Sequence, residues 1–298
     1  MMIDPVIDRA LYPFTSRWFA SSAGRVHYID EGSGRPIVFC HGSPTWSFAF
    51  RRVVQALRDT YRCIAVDHLG FGLSERPDGF DYTVRSHCAV LGELIDRLDL
   101  HDLIIVGHDW GGPIGLTAAT QRPQRVGGVV LTNTALWPID AFANKAFSML
   151  MGTPLMQQQI LDDNFLIERV LLGRAGPDLT AAEADHYRRV QPIGARRGLA
   201  VIPTEIRAAR PLLADLADNV PATVGHRPSI AVWGMRDRVF PARSSLPRLR
   251  AMFDDLDVVE LAQASHLVPE ESPDALAEAI STRFAPWPPV STSDVPRQ

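Results

Sequence analysis

The stretch that decides the fold is LIIVGHDWGGPIG, residues 103–115. It begins with an apolar run at 103–106, which is typical of a buried strand, and it continues into small residues that favour the start of a helix. Gly107 and Gly111 flank Asp109 and allow a sharp turn between the strand and the helix. A buried strand that turns directly into a helix is typical of a parallel α/β sheet.

Similar apolar runs on both sides of this stretch extend the pattern. They lie at residues 25–30, 37–40 and 62–66 before it, and at 126–131, 229–233 and 258–261 after it. Segments with apolar residues at helical spacing, such as 84–98, separate them. Strands that are apolar along their length and alternate with helices indicate a mostly parallel sheet covered on both faces. The sequence therefore predicts an α/β fold.

The pattern changes between residues 137 and 219. This segment is helical in character, with Pro and Gly breaks and no convincing buried strand, and strand-like runs resume only after it. A sheet that is interrupted by helices and then completed indicates a core with a cap domain. We predict a core of residues 1–136 and 220–298 with a helical cap at 137–219. The Pro- and Ser-rich stretch 285–298 is expected to be a loose tail.

Composition narrows the classes of function. The 298 residues carry a formal net charge of −4 and are 46% hydrophobic, which suffices for one large core. No basic stripe is present, so nucleic acid is not an expected partner. The opening MMIDPVIDRALYPF matches neither a signal peptide nor a transmembrane helix, so no membrane partner is expected. The three cysteines have no metal-ligand spacing and are expected to be reduced, as in a cytoplasmic protein.

Residues 107–111 match the G-x-nucleophile-x-G elbow, with Asp109 at the position that serine hydrolases give to serine. The helix that follows points its N-terminus at this position and favours an anion there. A carboxylate nucleophile suits saturated carbons with a leaving group, such as alkyl halides or epoxides, because the intermediate is an ester that water can hydrolyse. The segment is also compatible with an ordinary turn in which Asp109 caps the helix.

Asp237 and His266 supply the acid and the base that hydrolysis of such an ester needs. Each follows a strand-like run, so both fall at the carboxyl edge of the sheet, where open α/β sheets place their sites. The chain order of nucleophile, acid and base is that of hydrolases with this elbow. We expect His266 to take a proton from water and Asp237 to orient its ring. Taken singly, Asp237 is compatible with a surface loop residue and His266 with a helix start.

The loop CHGSPTW, residues 40–46, follows another strand-like run. In this context one oxyanion-hole amide comes from the residue after the nucleophile and the other from such a loop. We therefore assign the backbone N–H groups of Trp110 and Ser43 to an oxyanion hole. His41 is expected to be structural, hydrogen-bonded beneath the loop.

Together these segments resemble the haloalkane dehalogenases, a branch of the α/β-hydrolases. The resemblance covers nearly the whole chain and includes HGSPTWSF, DHLGFGLSERP, GHDWGGPIG, HYRRVQP, RRGLAVIP, WGMRDRVF and ASHLVPEESPDAL. It implies hydrolysis of a small apolar haloalkane to an alcohol and a halide ion through an ester on Asp109. Water is the second substrate, and no metal or organic cofactor is implied. The acid at Asp237 resembles the branches of the family with an Asp-His-Asp triad.

The resemblance also implies donors that hold the departing halide, and the indole N–H of Trp110 suits this role. After His-Gly the family usually carries Asn, or Glu with a cap Trp, whereas this chain has Ser43 and no Trp at 138–219. The second donor is then Ser43, directly or through water, or Trp137 at the core–cap junction, although packing explains Trp137 as well. We predict weakened halide stabilisation. The pocket lining is assigned to Phe147, Phe165 and Leu267.

Three alternatives use the same framework. An epoxide hydrolase needs an additional acid for the epoxide oxygen, for which the cap offers only Tyr187. Dehalogenation of fluoroacetate needs arginines beside the nucleophile, where this chain has Trp110 followed by two glycines. A non-catalytic protein can keep the fold as a ligand pocket, although the complete triad argues against it. The sequence leaves the substrate range and the oligomeric state open, and a homo-oligomer is compatible with it.

Overall fold

The computed structural model describes residues 7–173 and 176–284 of the chain. Within them, eight strands form one sheet: β1 (Ser16–Ala20), β2 (Arg25–Glu31), β3 (Pro36–Cys40), β4 (Arg62–Val66), β5 (Leu103–His108), β6 (Val126–Thr132), β7 (Ser229–Gly234) and β8 (Leu256–Leu261). The α-helices are α1 (Arg51–Leu57), α2 (Val84–Arg97), α3 (Gly111–Thr120), α4 (Phe142–Met151), α5 (Pro154–Asp163), α6 (Ala181–Arg189), α7 (Arg197–Ala208), α8 (Arg210–Thr223), α9 (Ala242–Met252), α10 (Val268–Glu271) and α11 (Pro273–Arg283). The predicted tail at 285–298 lies outside the described residues.

The sheet is mostly parallel, with the order β1-β2-β4-β3-β5-β6-β7-β8. Only the pairings of β1 with β2 and of β2 with β4 are antiparallel. Helices flank it, with α1 packed on α11 and α2 packed on α3. The predicted α/β-hydrolase type of fold is confirmed. β1 was not predicted, because it is a largely exposed edge strand and no apolar run marks it.

Burial explains why the central strands read as continuous apolar runs. β3, β5 and β7 are buried at every position, since helices cover both faces of a parallel sheet. Each fully buried aliphatic side chain contributes about 1.5–3 kcal/mol of hydrophobic stabilisation. The carboxyl ends of β3, β5, β6 and β7 lie side by side in that order, so the loops that follow them converge at one edge.

A helical insertion, α4–α8, connects β6 to β7. α4 packs on α7, and α8 returns to the core by packing on α3. A π-helical turn, Leu166–Leu171, follows α5. The helical stretch continues to Thr223, beyond the limit of 219 predicted for the cap. Among the described helices none is both long and apolar enough to cross a membrane.

A buried ion cluster fastens the insertion to the core. The Arg51 guanidinium pairs with Glu183 of α6 and with Glu270 of α10. The hydroxyl of Tyr187 in α6 donates a hydrogen bond to the Glu270 carboxylate. Burial and the charge of Glu270 raise the pKa of Tyr187 well above its ordinary value. The four side chains are at most 5% exposed, so each charge depends on its partner in the cluster.

Candidate active site

The turn after β5 presents Asp109 at the carboxyl edge of the sheet. Asp109 has a φ of 51°, in the left-handed region that residues other than glycine rarely adopt. Its N–H donates to the carbonyl of Asn133 at 3.2 Å, and its carbonyl accepts from the Thr134 hydroxyl at 2.6 Å and the Gly112 N–H at 3.1 Å. These bonds hold Asp109 in an otherwise unfavourable backbone conformation.

Glycines let the two loops approach the carboxylate closely. A Cβ atom on Gly42 would lie 2.3 Å from Oδ1 of Asp109, and one on Gly111 would lie 1.8 Å from the carbonyl oxygen of Cys40. Neither contact is sterically allowed, so any side chain at these positions would push the loops apart. His41 accepts a hydrogen bond from the His68 N–H beneath the loop, as expected.

The two carboxylate oxygens of Asp109 have different surroundings. Oδ1 accepts a hydrogen bond from the backbone N–H of Ser43 at 3.0 Å. Oδ2 lies 3.4 Å from Nε2 of His266. The backbone N–H of Trp110 makes no hydrogen bond with any residue that the structure describes. Oδ1 is therefore the oxygen held by an amide, and Oδ2 is the oxygen that faces the histidine.

His266 lies between two carboxylates. Its Nδ1 donates to Oδ2 of Asp237 at 3.0 Å, on the side opposite Asp109. Burial lowers the pKa of His266, but the hydrogen bonds to Asp109 and Asp237 outweigh burial and raise the pKa to about 10. His266 is therefore an imidazolium at neutral pH as long as both carboxylates are ionised.

Asp237 is fixed by further donors. Its Oδ2 also accepts from the side-chain amide of Asn133 at 2.7 Å, and its Oδ1 accepts from the Val239 N–H at 2.7 Å. Burial raises the pKa of Asp237, but the hydrogen bonds from His266 and Asn133 outweigh it and hold the pKa below its usual range. Sequence reasoning gave Asn133 no role, although its position directly after β6 was a usable signal.

Glu271 and His108 fix the backbone around the base. The Glu271 carboxylate accepts from the N–H of Ser265 at 2.6 Å and from the N–H of Leu267 at 2.9 Å, the residues on either side of His266. Nε2 of His108 donates to the His266 carbonyl at 2.9 Å. Burial, with the neighbouring His266, lowers the pKa of His108 to about 4, so its ring is neutral at pH 7. Sequence analysis missed both residues.

A cavity of about 360 Å³ opens above Asp109 between the core and the insertion. Its lining is mostly apolar, and it includes Trp110, Phe240 and Leu267 from the core and Phe147, Leu166 and Ile206 from the insertion. A cavity of this size and character suits a small apolar molecule. Phe147 and Leu267 lie where they were predicted. Phe165 is not part of the lining and packs against the apolar core instead.

Two donors in this lining have no protein partner. Neither the indole N–H of Trp110 nor the hydroxyl of Ser43 hydrogen-bonds to a residue in the described ranges. Both flank the carboxylate of Asp109, since one follows it in the chain and the other contacts it through its amide. Trp137 lies elsewhere, in a neighbouring hollow where the Arg248 guanidinium is 5.3 Å from its ring centre. The structure does not bring Trp137 to the cavity.

Tyr187, the acid that an epoxide hydrolase would use, is also absent from the cavity. Its side chain is fully buried and its hydroxyl is engaged by Glu270 in the ion cluster. The described lining contains no tyrosine. The site therefore offers no phenol to protonate an epoxide oxygen.

Comparison with known proteins agrees with this geometry. A family model described as the alpha/beta hydrolase fold matches residues 35–273. Haloalkane dehalogenase 2 of Mycobacterium bovis is 52% identical over 285 residues, which cover 95% of this chain and 100% of that protein. A cis-3-alkyl-4-alkyloxetan-2-one decarboxylase of Shewanella oneidensis is 32% identical, covering 89% of this chain and 86% of that protein. The crystal structure of the haloalkane dehalogenase DatA from Agrobacterium tumefaciens C58 shares the fold, with a TM-score of 0.84, 21% identity, and coverage of 93% of this chain and 98% of that one.

Proposed function

The chain belongs to the haloalkane dehalogenases of the α/β-hydrolase fold family, and from that premise we propose that it hydrolyses haloalkanes to an alcohol and a halide ion. The observation that carries the proposal is the row Asp109–His266–Asp237 at the floor of an apolar cavity, with contacts of 3.4 and 3.0 Å. Identity of 52% over the full length of a named dehalogenase supports the same reaction.

In the first step, Oδ2 of Asp109 attacks the carbon that carries the halogen. The new C–O bond forms as the carbon–halogen bond breaks, and the halide leaves with the electron pair. The product is a neutral alkyl ester on Asp109. The indole N–H of Trp110 and the hydroxyl of Ser43 would meet the developing negative charge, because both belong to the lining and neither has an acceptor among the described residues.

Formation of the ester changes the charge state of the base. In the resting site two carboxylates hold the pKa of His266 near 10. Once Asp109 is esterified, one of these charges is gone and the pKa of His266 falls. The imidazolium releases its proton to solvent, and the neutral ring can then accept a proton from water. The nucleophile thereby activates its own base only after it has reacted.

In the second step, water attacks Cγ of the Asp109 ester while His266 takes its proton. The negative charge develops on Oδ1, which already accepts from the Ser43 N–H at 3.0 Å. The N–H of Trp110, which has no other acceptor among the described residues, is the second donor of this oxyanion hole. The bond between Cγ and the alkyl oxygen breaks, and the alcohol leaves with the proton from His266. Asp109 is then a carboxylic acid that carries the second hydrogen of the water, and it passes this proton to His266, which restores the resting pair. Asp237 stabilises the imidazolium in between.

The insertion acts as a cap in this proposal. Phe147 of α4 and Ile202, Pro203 and Ile206 of α7 line the side of the cavity that faces Asp109. An apolar roof keeps bulk water from the carboxylate and leaves its charge free to attack carbon. We retain the division into a core of 1–136 and 220–298 and a cap of 137–219, with α8 as the joint between them.

The test follows bromide release from 1-bromobutane and 1,2-dibromoethane, with an Asp109→Ala variant as control and styrene oxide in parallel. We expect bromide release that requires Asp109. Diol from styrene oxide without bromide would replace the proposal by epoxide hydrolysis. Carbon dioxide from a cis-3,4-dialkyloxetan-2-one without bromide would replace it by the reaction that names the Shewanella relative.

A further inference from the structure

We propose that Arg238 forms an anion-binding subsite at the mouth of the cavity, which selects haloalkanes that carry a carboxylate at the end remote from the halogen. The proposal rests on the proposed dehalogenase function and names a substrate class for it. Arg238 directly follows the acid Asp237 in the chain and belongs to the lining of the same cavity.

Among the lining residues that the structure describes, charge is confined to three positions. Among the described lining residues, the ionisable ones are Asp109, His266 and Arg238. Asp109 and His266 lie at the floor of the cavity, where Oδ2 of Asp109 is 3.4 Å from Nε2 of His266. Arg238 is exposed, as are its lining neighbours Val239 and Val170, at 41% and 42%. Within the described part of the lining, Arg238 is therefore the one charged group at the open end.

The Arg238 guanidinium is free to bind a ligand. It makes no hydrogen bond or ion pair with any residue in 7–173 or 176–284. Arg236, two positions earlier on the same loop, instead donates to the side chain of Gln263. A guanidinium presents a planar fork of donors that matches the two oxygens of a carboxylate. An unpaired fork at the rim of an apolar cavity thus fits an anionic group better than a neutral one.

The loop that carries Arg238 is anchored on both sides of the cavity. The Val239 N–H donates to Asp237 at 2.7 Å, and the Val239 carbonyl accepts from the side chain of Asn144 of α4 at 3.2 Å. The Phe240 carbonyl accepts from the indole of Trp233 at 3.1 Å. These bonds fix the backbone next to Arg238, so the side chain projects from a defined point between core and insertion.

The distribution of charge along the cavity specifies the shape of the ligand. A carboxylate cannot approach the floor, because the negative Asp109 repels it there. The lining between the floor and the mouth is apolar, with Ile206 and Val239 among its members, and it suits a methylene chain. An ω-halocarboxylate fits the floor, the apolar middle and the mouth of the cavity, with the halogenated carbon at Asp109 and the carboxylate at Arg238. Opposite charge at the mouth also speeds the encounter.

The experiment compares ω-bromocarboxylates of increasing chain length with their methyl esters, using bromide release and kcat/KM. Wild type is expected to prefer the acid over its ester at one or two chain lengths. Arg238→Gln is expected to lower this acid-to-ester ratio about fivefold, as for a partly exposed ion pair. The matched control Arg236→Gln, on the same loop but outside the lining, is expected to keep the wild-type ratio. The preference should also weaken as salt is added.

A second variant reverses the charge. Arg238→Glu is expected to favour an ω-bromoalkyl trimethylammonium ion over the matched carboxylate. Wild type that releases bromide from 1-bromobutane but shows the same acid-to-ester ratio as Arg238→Gln overturns the subsite alone. Wild type that releases no bromide from any of these compounds overturns the proposed function, and the subsite with it.

Discussion

Two sides of the cavity floor differ in how many protein contacts hold their functional groups. The base side carries His266, the proposed base, and the leaving-group side carries the Trp110 and Ser43 side chains, the proposed halide donors. On the base side, His266 bonds to Asp237, and Asp237 accepts further hydrogen bonds from Asn133 and Val239. On the leaving-group side, the indole N–H of Trp110 and the Ser43 hydroxyl have no partner within the described residues. Donors without a protein partner can turn to a ligand without breaking a hydrogen bond inside the protein, whereas a base must be oriented before the reaction starts.

The difference separates the two chemical steps. In the proposed mechanism, departure of the halide depends on the Trp110 and Ser43 side chains, and hydrolysis of the Asp109 ester depends on His266 and the residues that orient it. Changes on one side should therefore slow one step and spare the other. The rate of the first bromide burst and the rate of continued turnover report the two steps separately.

The largest effect is expected for His266→Gln. Without the base, the Asp109 ester forms but water is not activated, so one equivalent of bromide is released and turnover then falls by about 10²–10⁴-fold. Rapid-quench measurement of bromide and the mass of the alkylated protein test this. Asp109→Ala should give no burst at all. Continued turnover by His266→Gln, with no ester trapped, would remove His266 from the proposed role.

Trp110→Phe is expected to act on the other step. The ring and the backbone N–H remain, but the halide loses one charge-assisted donor that contributes about 1.5–3 kcal/mol. The burst should slow by about 10–100-fold. The rate at which water hydrolyses the Asp109 ester should stay near that of wild type. Trp137→Phe, in the neighbouring hollow, is the matched control and should leave the burst unchanged. Equal slowing in both variants would contradict the assignment of Trp110.

Ser43→Asn is expected to strengthen the weaker of the two donors. A carboxamide reaches farther into the cavity than a hydroxyl, so the burst should accelerate, by up to about tenfold for one good hydrogen bond. Ser43→Ala should slow it. The backbone N–H that contacts Asp109 is present in all three proteins. A burst that is unchanged or slower in Ser43→Asn would mean that the hydroxyl does not limit halide departure.

Glu271→Gln should have the smallest effect, confined to hydrolysis. The amide keeps the size of the side chain but leaves one oxygen to serve the two N–H groups beside His266. Turnover after the burst should fall about threefold, as for one weakened hydrogen bond, with the burst itself unchanged. The pH profile of ester hydrolysis should shift as well, because the orientation of the base is altered. A slower burst with normal hydrolysis would contradict this positioning role.

The sequence was sufficient to predict which residues form the row at the floor, because each of Asp109, Asp237 and His266 follows an apolar strand. Parallel strands end at one edge, so their following residues must meet there. Asn133 escaped prediction, although it directly follows β6, because its partner Asp237 is 104 positions away in the chain. Glu271 escaped because its partners are backbone N–H groups, which no residue pattern marks. Such contacts depend on the path of a loop, which residue spacing does not encode.

The sequence also did not show which way the side chains of the insertion point. Phe147 faces the cavity and Phe165 does not, although both are aromatic residues of the same helical segment. The difference arises from the local turn of the chain, since Phe165 follows Asn164, a residue in the left-handed conformation at the end of α5. Apolar periodicity predicts that a side chain is buried. It does not predict whether that side chain lines the cavity or packs against the core.

The ion cluster that fastens the insertion has an evolutionary consequence. Removing one member of a buried ionic group leaves its partner unpaired, at a cost of about 3–5 kcal/mol. Arg51 and Glu270 are therefore expected to change together, while Glu183 keeps a second partner in Arg52. Phe147 and Ile206 at the cavity can be exchanged one at a time. Proteins that descend from this chain can therefore acquire new substrates through single substitutions in α4 and α7. The attachment of α6 to the core is expected to stay unchanged among them.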